Sequence, residues 1–151
     1  MTRFATLLCV LAFATPAFAE LGGDASSITA DRVHTQGALL RITSTDTFTV
    51  HEMQSATGTM IREYVSPLSG KVFAVAWDGP FLPDLRQVLG SYFDTYQREA
   101  ARVRTARRAH GPIAIDTGEL VVQVAGHTRY FTGRAYATRL VPNGVERASI
   151  K

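Results

Sequence analysis

Cysteine is nearly absent from this chain of 151 residues, which contains a single one, Cys9. The segment around it has the features of a secretory signal. Arg3 supplies a positive charge, an apolar run follows over Phe4–Phe13, and Ala17-Phe18-Ala19 presents small residues at the two positions that signal peptidase reads. We expect cleavage after Ala19, which removes Cys9. The mature protein then has no thiol, which excludes disulfides, thiolate metal sites and cysteine nucleophiles.

Long apolar runs are also missing. A helix that spans a membrane needs about 20 apolar residues, and the run Phe4–Phe13 has roughly half that length. We therefore expect a cleaved signal and not a membrane anchor. Because no later stretch is long enough to span a bilayer, we expect an exported protein with no transmembrane segment in its mature part.

Charge and catalytic motifs are sparse as well. The formal net charge is +3, which is too small to indicate nucleic acid as a partner. The four histidines, His34, His51, His110 and His127, are too far apart in the sequence to form a recognisable metal motif. There is no G-x-S-x-G elbow and no phosphate-binding loop. We therefore expect no metal and no cofactor, name no catalytic residue, and favour a non-catalytic protein over an enzyme.

The middle of the chain contains a series of alternating segments rich in β-favouring residues. Three of them, Thr47–Met53, Thr59–Ser66 and Lys71–Trp77, are joined by short turns and predict an antiparallel meander. The third is apolar at nearly every position. We therefore place it at the centre of the sheet, with both of its faces covered.

A helix is predicted after the meander. Pro83 suits the first helical turn, and apolar residues recur beyond it at helical spacing. This stripe, which we expect to pack on the sheet, consists of Leu85, Val88, Leu89, Tyr92, Tyr96, Ala100 and Val103. Gly90 weakens the helix locally by about 1 kcal/mol relative to alanine, and Gly111-Pro112 ends it.

The last third of the chain returns to strands. After a short strand at Ile113–Ile115, the segments Glu119–Ala125 and Thr128–Ala137 predict a hairpin with its turn at Gly126-His127, which Leu140-Val141 continues. The order of elements predicts an α+β fold: an antiparallel β-meander, one long amphipathic helix packed on the sheet, then a C-terminal β-hairpin.

By length the chain holds one domain. Residues 1–19 are the signal peptide, residues 20–46 a partly flexible lead-in, and residues 47–151 a single α+β domain. In the lead-in we expect a loose start at Leu21-Gly22-Gly23, a short helix over Ile28–His34 and a short strand over Ala38–Ile42.

The corner Trp77-Asp78-Gly79-Pro80, where the apolar strand ends, is the first candidate for a binding site. Loops held by a rigid scaffold often carry function. A partly exposed Trp77 beside the Asp78 carboxylate and a helix N-terminus would hold a polar or aromatic ligand. The alternative is structural: Trp77 packs in the core, and Gly79-Pro80 only turns the chain.

Arginines crowd the end of the predicted helix, at Arg98, Arg102, Arg104, Arg107 and Arg108. We name Arg102, Arg107 and Arg108 as candidates for binding an acidic partner, anionic lipid or polysaccharide. The partner we expect is an envelope protein or a polysaccharide. The alternative is a solvated helix end whose basic residues suit the helix dipole.

His51 and Glu52 lie on the first strand of the meander, and Arg62 lies on the second. Because neighbouring residues on a strand point to opposite faces, His51 and Glu52 cannot enter one pocket together. The register of the hairpin decides which of them faces Arg62. We favour a cross-strand Glu–Arg contact on a solvated face, worth roughly 0.2–1 kcal/mol, over a general acid/base pair.

The segment Thr47–Phe93 carries the runs VHE, REYVSP, VFAVAW, GP and PDL. Together with Leu21-Gly22-Gly23 and the hairpin that contains Phe131 and Gly133, these runs resemble a bacterial family of exported proteins, domain of unknown function 2844. The resemblance covers most of the mature chain. It implies export from a bacterium, and hence the periplasm, and it brings no activity, cofactor or catalytic residue.

These observations predict a non-catalytic periplasmic binding module or envelope accessory protein. Two alternatives stay open. One is a small hydrolase or lyase with its site at Trp77–Pro80, which would use Asp78 and a histidine in a concave pocket. The other is a structural subunit that assembles through a free sheet edge, with the terminal hairpin as the candidate edge.

Overall fold

Seven strands form one antiparallel sheet in a computed structural model of the chain, which describes residues 20–25, 38–107 and 111–151. In order along the chain the strands are β1 Ala38–Ser44, β2 Thr49–Gln54, β3 Met60–Val65, β4 Val72–Gly79, β5 Ile113–Asp116, β6 Leu120–His127 and β7 Tyr130–Ala137. In space their order is β1-β2-β3-β4-β7-β6-β5. The predicted α+β class, with a meander, a helical layer and a C-terminal hairpin, is confirmed.

Strand β4 lies at the centre of this sheet, as its apolar sequence predicts. Residues Val72–Trp77 are each at most 1% exposed. Alternation along the strand directs Trp77 to one face of the sheet and Asp78 to the other. The two faces are covered by different parts of the chain, which we call the helix face and the tail face.

The helix face is covered by two helices, α1 Leu85–Leu89 and α2 Phe93–Arg107, which a short 3-10 turn joins. Asp84 caps α1, since its carboxylate accepts a hydrogen bond from the Arg86 N–H at 2.9 Å. The predicted apolar stripe packs here, with Leu89, Tyr96 and Ala100 buried against a cluster that includes Trp77.

The predicted helix is interrupted at Gly90, whose φ of +50° favours glycine. A Cβ atom at this position would also overlap the carboxylate of Glu20. The chain therefore changes direction between α1 and α2, and the residue expected to weaken the helix is the one at which it breaks.

The tail face is covered by the last residues of the chain. Ile150 is fully buried there in a cluster with Tyr64, Phe73 and Tyr136. The predicted extension of the hairpin at Leu140-Val141 is wrong, because Thr138–Leu140 forms a 3-10 turn that sends the chain back across the sheet. The last residues of the chain remove the aromatic side chains of this face from water, which is favourable because these side chains are apolar.

The prediction of a loose start at Leu21-Gly22-Gly23 is also wrong. Leu21 is fully buried, and its N–H donates to the carbonyl of Val88 at 3.1 Å. Gly22 and Gly23 exchange backbone hydrogen bonds with Val72. The predicted strand at Ala38–Ile42 is present as β1 in the same sheet, whereas the predicted helix at Ile28–His34 lies outside the described residues.

The hairpin turns two residues later than predicted. The turn is at Thr128-Arg129, where Arg129 has a φ of +68°, and Gly126 remains in β6 opposite Phe131. Glycine is needed at position 126 for packing within the strand pair and not for the turn, because a Cβ atom there would lie 2.5 Å from the Phe131 ring. The sheet edges are β1 and β5, so the prediction that the terminal hairpin is a free edge is wrong.

Within the described part of the chain, none of the helices has the length and apolar character needed to cross a membrane.

Candidate functional site: a polar groove on the tail face

Charged side chains of alternating sign cross four adjacent strands on the tail face. Arg41 on β1, Glu52 on β2, Arg62 on β3 and Asp78 on β4 form this charge row. Arg62 donates from Nε to Glu52 Oε1 at 3.2 Å and from Nη1 to Asp78 Oδ1 at 2.5 Å. Arg41 Nε lies 3.7 Å from Glu52 Oε2. Each inner member of the row therefore has an opposite charge on both sides.

The strand register explains why these residues meet. Glu52 pairs directly with Arg62, and Arg62 pairs with Ala76, two residues before Asp78 on β4. Paired residues in an antiparallel sheet share a face, and so do residues two apart on one strand. The predicted cross-strand contact between Glu52 and Arg62 is confirmed, and His51 is the residue directed to the helix face.

A cavity of about 550 Å³ lies over the charge row. Besides the four charged residues it is lined by Thr43, Phe48, Val50, Tyr64, Tyr130, Thr132, Ser149 and Lys151. The side chains of Glu52, Arg62 and Asp78 are 27%, 26% and 34% exposed, so solvent reaches the floor of the cavity. We call this cavity the polar groove.

One wall of the polar groove is the chain's tail, which hydrogen bonds hold in place. The Tyr64 hydroxyl donates to the Lys151 carbonyl at 2.8 Å and accepts from the Lys151 N–H at 3.0 Å. Arg134 donates from Nη1 to the carbonyls of Arg147 and Ile150, each at 3.0 Å. The groove thus depends on contacts between residues far apart in the sequence.

The electrostatics of Arg62 follow from its position. Burial alone would lower the pKa of its guanidinium, but the hydrogen bonds and charges of Asp78 and Glu52 outweigh burial and raise the pKa above its ordinary value. Arg62 therefore stays charged, and its two bonds fix the direction in which its remaining N–H groups point.

Of the predicted corner, Asp78 is the residue that reaches the polar groove. Trp77 is 1% exposed and packs on the helix face, so the interpretation with a partly exposed indole is wrong and its structural alternative describes the side chain. Gly79 is required because a Cβ atom there would meet Thr59 Cα at 2.5 Å. Pro80 follows it at the turn, half-buried.

A second cavity, of about 460 Å³, also touches Trp77 and Asp78. Small and apolar residues such as Ile113, Val124 and Ala125 form much of its wall. Its charged lining residues are Asp78, Arg134 and Lys151. The described lining residues thus include no histidine to act with Asp78, as the hydrolase alternative requires.

Of the predicted arginines, Arg102 is the one whose side chain the structure describes, and it does not line the polar groove. Arg102 is exposed on α2, where it forms an ion pair with Glu99 at 2.8 Å, and α2 covers the opposite face of the sheet from Asp78. Arg107 is the last residue of α2, and Arg108 lies outside the described residues. The structure thus separates Arg102 from the predicted corner.

His51 occupies the helix face, opposite the buried Glu63 on β3. Its Nδ1 is buried and has no hydrogen-bond partner within the described part of the chain. Burial lowers the pKa of His51 below its ordinary value of 6.5, because desolvation disfavours the charged imidazole.

We expect the stability of the protein to fall as the pH drops below 6.5, the ordinary pKa that His51 regains on unfolding. Between the lowered folded pKa and 6.5, the unfolded chain binds more protons than the folded one, so acid favours unfolding. Urea unfolding at several pH values measures this slope. His51→Gln should flatten it. An unaltered slope in His51→Gln would contradict the assignment.

Among the groove residues, the sequence named Asp78 as a site residue, interpreted Glu52 and Arg62 as a structural cross-strand contact, and did not single out Tyr130. A usable signal existed, since Arg41, Glu52, Arg62 and Asp78 alternate in sign from one strand to the next. Using it requires the register of three strand pairs, which the sequence leaves open. Among the described residues no group of three or more metal-binding side chains comes together.

The family comparison agrees with the resemblance found in the sequence. The model described as "Protein of unknown function (DUF2844)" matches residues 17–150, and the chain belongs to this family. Searches of curated proteins and of solved structures found no match to the chain. The family description names no activity, so a function has to be argued from the groove.

Proposed function

We propose that this protein is an exported, non-catalytic binding module of the bacterial periplasm, and that an envelope component occupies the polar groove. The observation that carries the proposal is Arg62, fixed between two carboxylates on the solvent-accessible floor of a cavity of about 550 Å³. Partly exposed ion pairs add little to stability, typically about 0–1 kcal/mol. They do hold donors and acceptors in fixed positions, which favours binding.

The chemistry of the groove favours binding over catalysis. A serine nucleophile needs an adjacent base, but the Ser149 hydroxyl donates to the Glu146 carbonyl at 2.6 Å. Glu52 and Asp78 are both bonded to Arg62. His51 lies on the other face of the sheet. The described lining residues therefore do not form a nucleophile–base pair.

Export rests on the features of residues 1–19 and is tested by the mass of the mature protein. The chain should be recovered from the periplasmic fraction of a bacterial host with Glu20 as its first residue. The host's signal peptidase should be required for this processing. An uncut chain in the cytoplasmic fraction would refute export, whatever the groove binds.

Groove occupancy is tested with a photo-crosslinking residue at one of two threonines. Thr43 lines the polar groove, and Thr105 is exposed on α2 on the other side of the sheet. Irradiation in periplasmic extract should give a discrete adduct from position 43 and none from position 105. Arg62→Gln should abolish the adduct at position 43. Equal adducts from both positions, or none from either, would refute the groove as the binding site.

A second candidate function is assembly through the sheet edge at β1. This edge strand exposes two large apolar side chains, Leu40 at 53% and Ile42 at 54%. Exposed edge strands of this kind pair with other strands. Association that rises with concentration in sedimentation, and that Ile42→Lys abolishes, would support assembly. A monomer at all concentrations would exclude it.

A further inference from the structure

We infer that the polar groove binds a neutral polysaccharide chain, with Tyr130 packed against a sugar ring and the charge row hydrogen-bonded to hydroxyl groups. The inference rests on the proposed function, because it names the chemical class of ligand for the same groove.

The balance of charge in the groove argues against a strongly charged ligand. The charge row consists of two arginines and two carboxylates, which alternate and compensate one another. Lys151 adds one positive charge to the lining. A polyanion approaching Arg62 would also approach Glu52 and Asp78, and a polycation would meet Arg41 and Arg62. Like charges of this kind oppose binding of either polymer.

The same alternation suits hydroxyl groups. A hydroxyl both donates and accepts a hydrogen bond, whereas a guanidinium only donates and a carboxylate only accepts. Arg62 is bonded directly to Asp78 and Glu52. A hydroxyl above either pair can therefore accept from a remaining N–H of Arg62 and donate to a remaining lone pair of the carboxylate. Sugars carry hydroxyls on neighbouring carbons, and the row presents donor and acceptor on neighbouring strands.

Tyr130 supplies the apolar part of such a site. Its side chain is 46% exposed and lines the groove, on the same face as Thr132 and Asp78. The ring stacks on His127, with centroids 6.1 Å apart and an angle of 30° between the planes. A supported, exposed ring offers a flat apolar surface and a polar hydroxyl, which matches the C–H face and hydroxyl edge of a sugar.

The dimensions of the groove favour a chain over a single sugar. Its lining residues come from five adjacent strands, from Arg41 on β1 to Thr132 on β7. With neighbouring strands about 4.8 Å apart, the row of strands spans about 19 Å. Hydrogen-bonding groups are present along this whole distance, so successive sugar units have separate contacts.

The test is calorimetric titration of the purified protein with three neutral hexasaccharides, made of β-1,4-linked glucose, α-1,4-linked glucose or β-1,4-linked N-acetylglucosamine. Heparin and spermine serve as the polyanion and polycation. We expect saturable binding of at least one neutral chain. Tyr130→Ala should weaken this binding about tenfold, and Arg62→Gln by at least as much. Circular dichroism should show that both variants remain folded.

Matched controls separate groove effects from general ones. Phe81 is a large aromatic residue of similar exposure that does not line the groove, so Phe81→Ala should leave the affinity unchanged. Arg102→Gln is the corresponding control for Arg62. An unchanged affinity in Tyr130→Ala would overturn the inference.

The outcomes also distinguish this inference from the proposed function. Binding of heparin that Arg62→Gln abolishes, or of spermine that Asp78→Asn abolishes, would overturn the neutral-glycan inference but keep the groove as a site. No binding of any probe up to about 1 mM would overturn the inference as well. In that case the adduct at position 43 would still decide whether the groove binds another envelope component.

Discussion

Gly133→Ala is expected to lower the free energy of unfolding by about 3 kcal/mol. The indole of Trp77 lies across Gly133, its partner on β7, and a Cβ atom there would overlap the ring and meet the Gln123 carbonyl oxygen at 2.6 Å. Trp77 is 1% exposed, so its indole is fixed by the packing of the core around it. Because a backbone carbonyl also blocks the new methyl group, a rotamer change alone cannot relieve the overlap.

Urea unfolding measures this effect, and Gly111→Ala is its matched control. No atom of the described residues lies within 4 Å of a Cβ at Gly111, so this alanine should be neutral or stabilising by up to about 1 kcal/mol. The two substitutions, chemically identical, should therefore differ in their effect on the free energy of unfolding by about 3 kcal/mol or more. Trp77→Leu combined with Gly133→Ala should recover part of the loss in a double-mutant cycle. A stable Gly133→Ala variant would show that the indole does not cover this glycine.

Ile150→Ala is expected to destabilise the protein by about 3 kcal/mol, the usual range for a buried isoleucine being about 2–5 kcal/mol. Ile150 is fully buried against the aromatic residues of the tail face, next to the Tyr64 and Arg134 hydrogen bonds that hold the tail. Ile42→Ala is the matched control at a residue that is 54% exposed, and it should change stability by less than about 0.5 kcal/mol.

Hydrogen exchange gives the second readout of this prediction. If the tail is the wall of the groove, Ile150→Ala should speed exchange at the amides of Ser149, Ile150 and Lys151 before it affects β4. The crosslinked adduct at position 43 should weaken with it. Equal losses of stability in the two isoleucine variants, or slow exchange throughout the tail, would contradict the role given to Ile150.

The strands and the centre of the sheet could be predicted because they depend on local patterns. Alternation marks β2, β3, β6 and β7, and the continuous apolar run of β4 indicates burial on both faces. The helix break at Gly90 was foreseen only as a weakness, because its cause includes a distant neighbour, Glu20. The local sequence predicts the backbone conformation that a residue prefers. It does not predict which distant residue will contact it in the folded protein.

The two glycines of the hairpin show the same limit. Glycine is typical of turns, yet Gly126 lies in β6, where the Phe131 ring covers it. The Trp77 ring covers Gly133 in the same way. An aromatic ring seated over a cross-strand glycine is a recurrent device that fixes strand register. Recognising it requires the pairing, which is a property of the folded sheet.

The candidate site was predicted only in part, for the same reason. Asp78 was chosen for its position at the end of β4, and it does reach the polar groove. Arg62 and Tyr130 were not chosen, because their roles come from neighbours on other strands. Trp77 was assigned to a binding site because an aromatic residue at a corner suggests exposure, and the packing of the helices instead buries it.

The pairing of β4 with β7 has a consequence for the order in which the protein folds. Each meander, β1–β4 and β5–β7, closes through short turns, but Ala74 and Tyr136 are about sixty residues apart and must meet across the helices. Contacts of such separation form slowly. Until they form, the apolar edges of both meanders remain available for pairing with other chains. We therefore expect the rate at which β4 pairs with β7 to determine what fraction of the protein folds without aggregating.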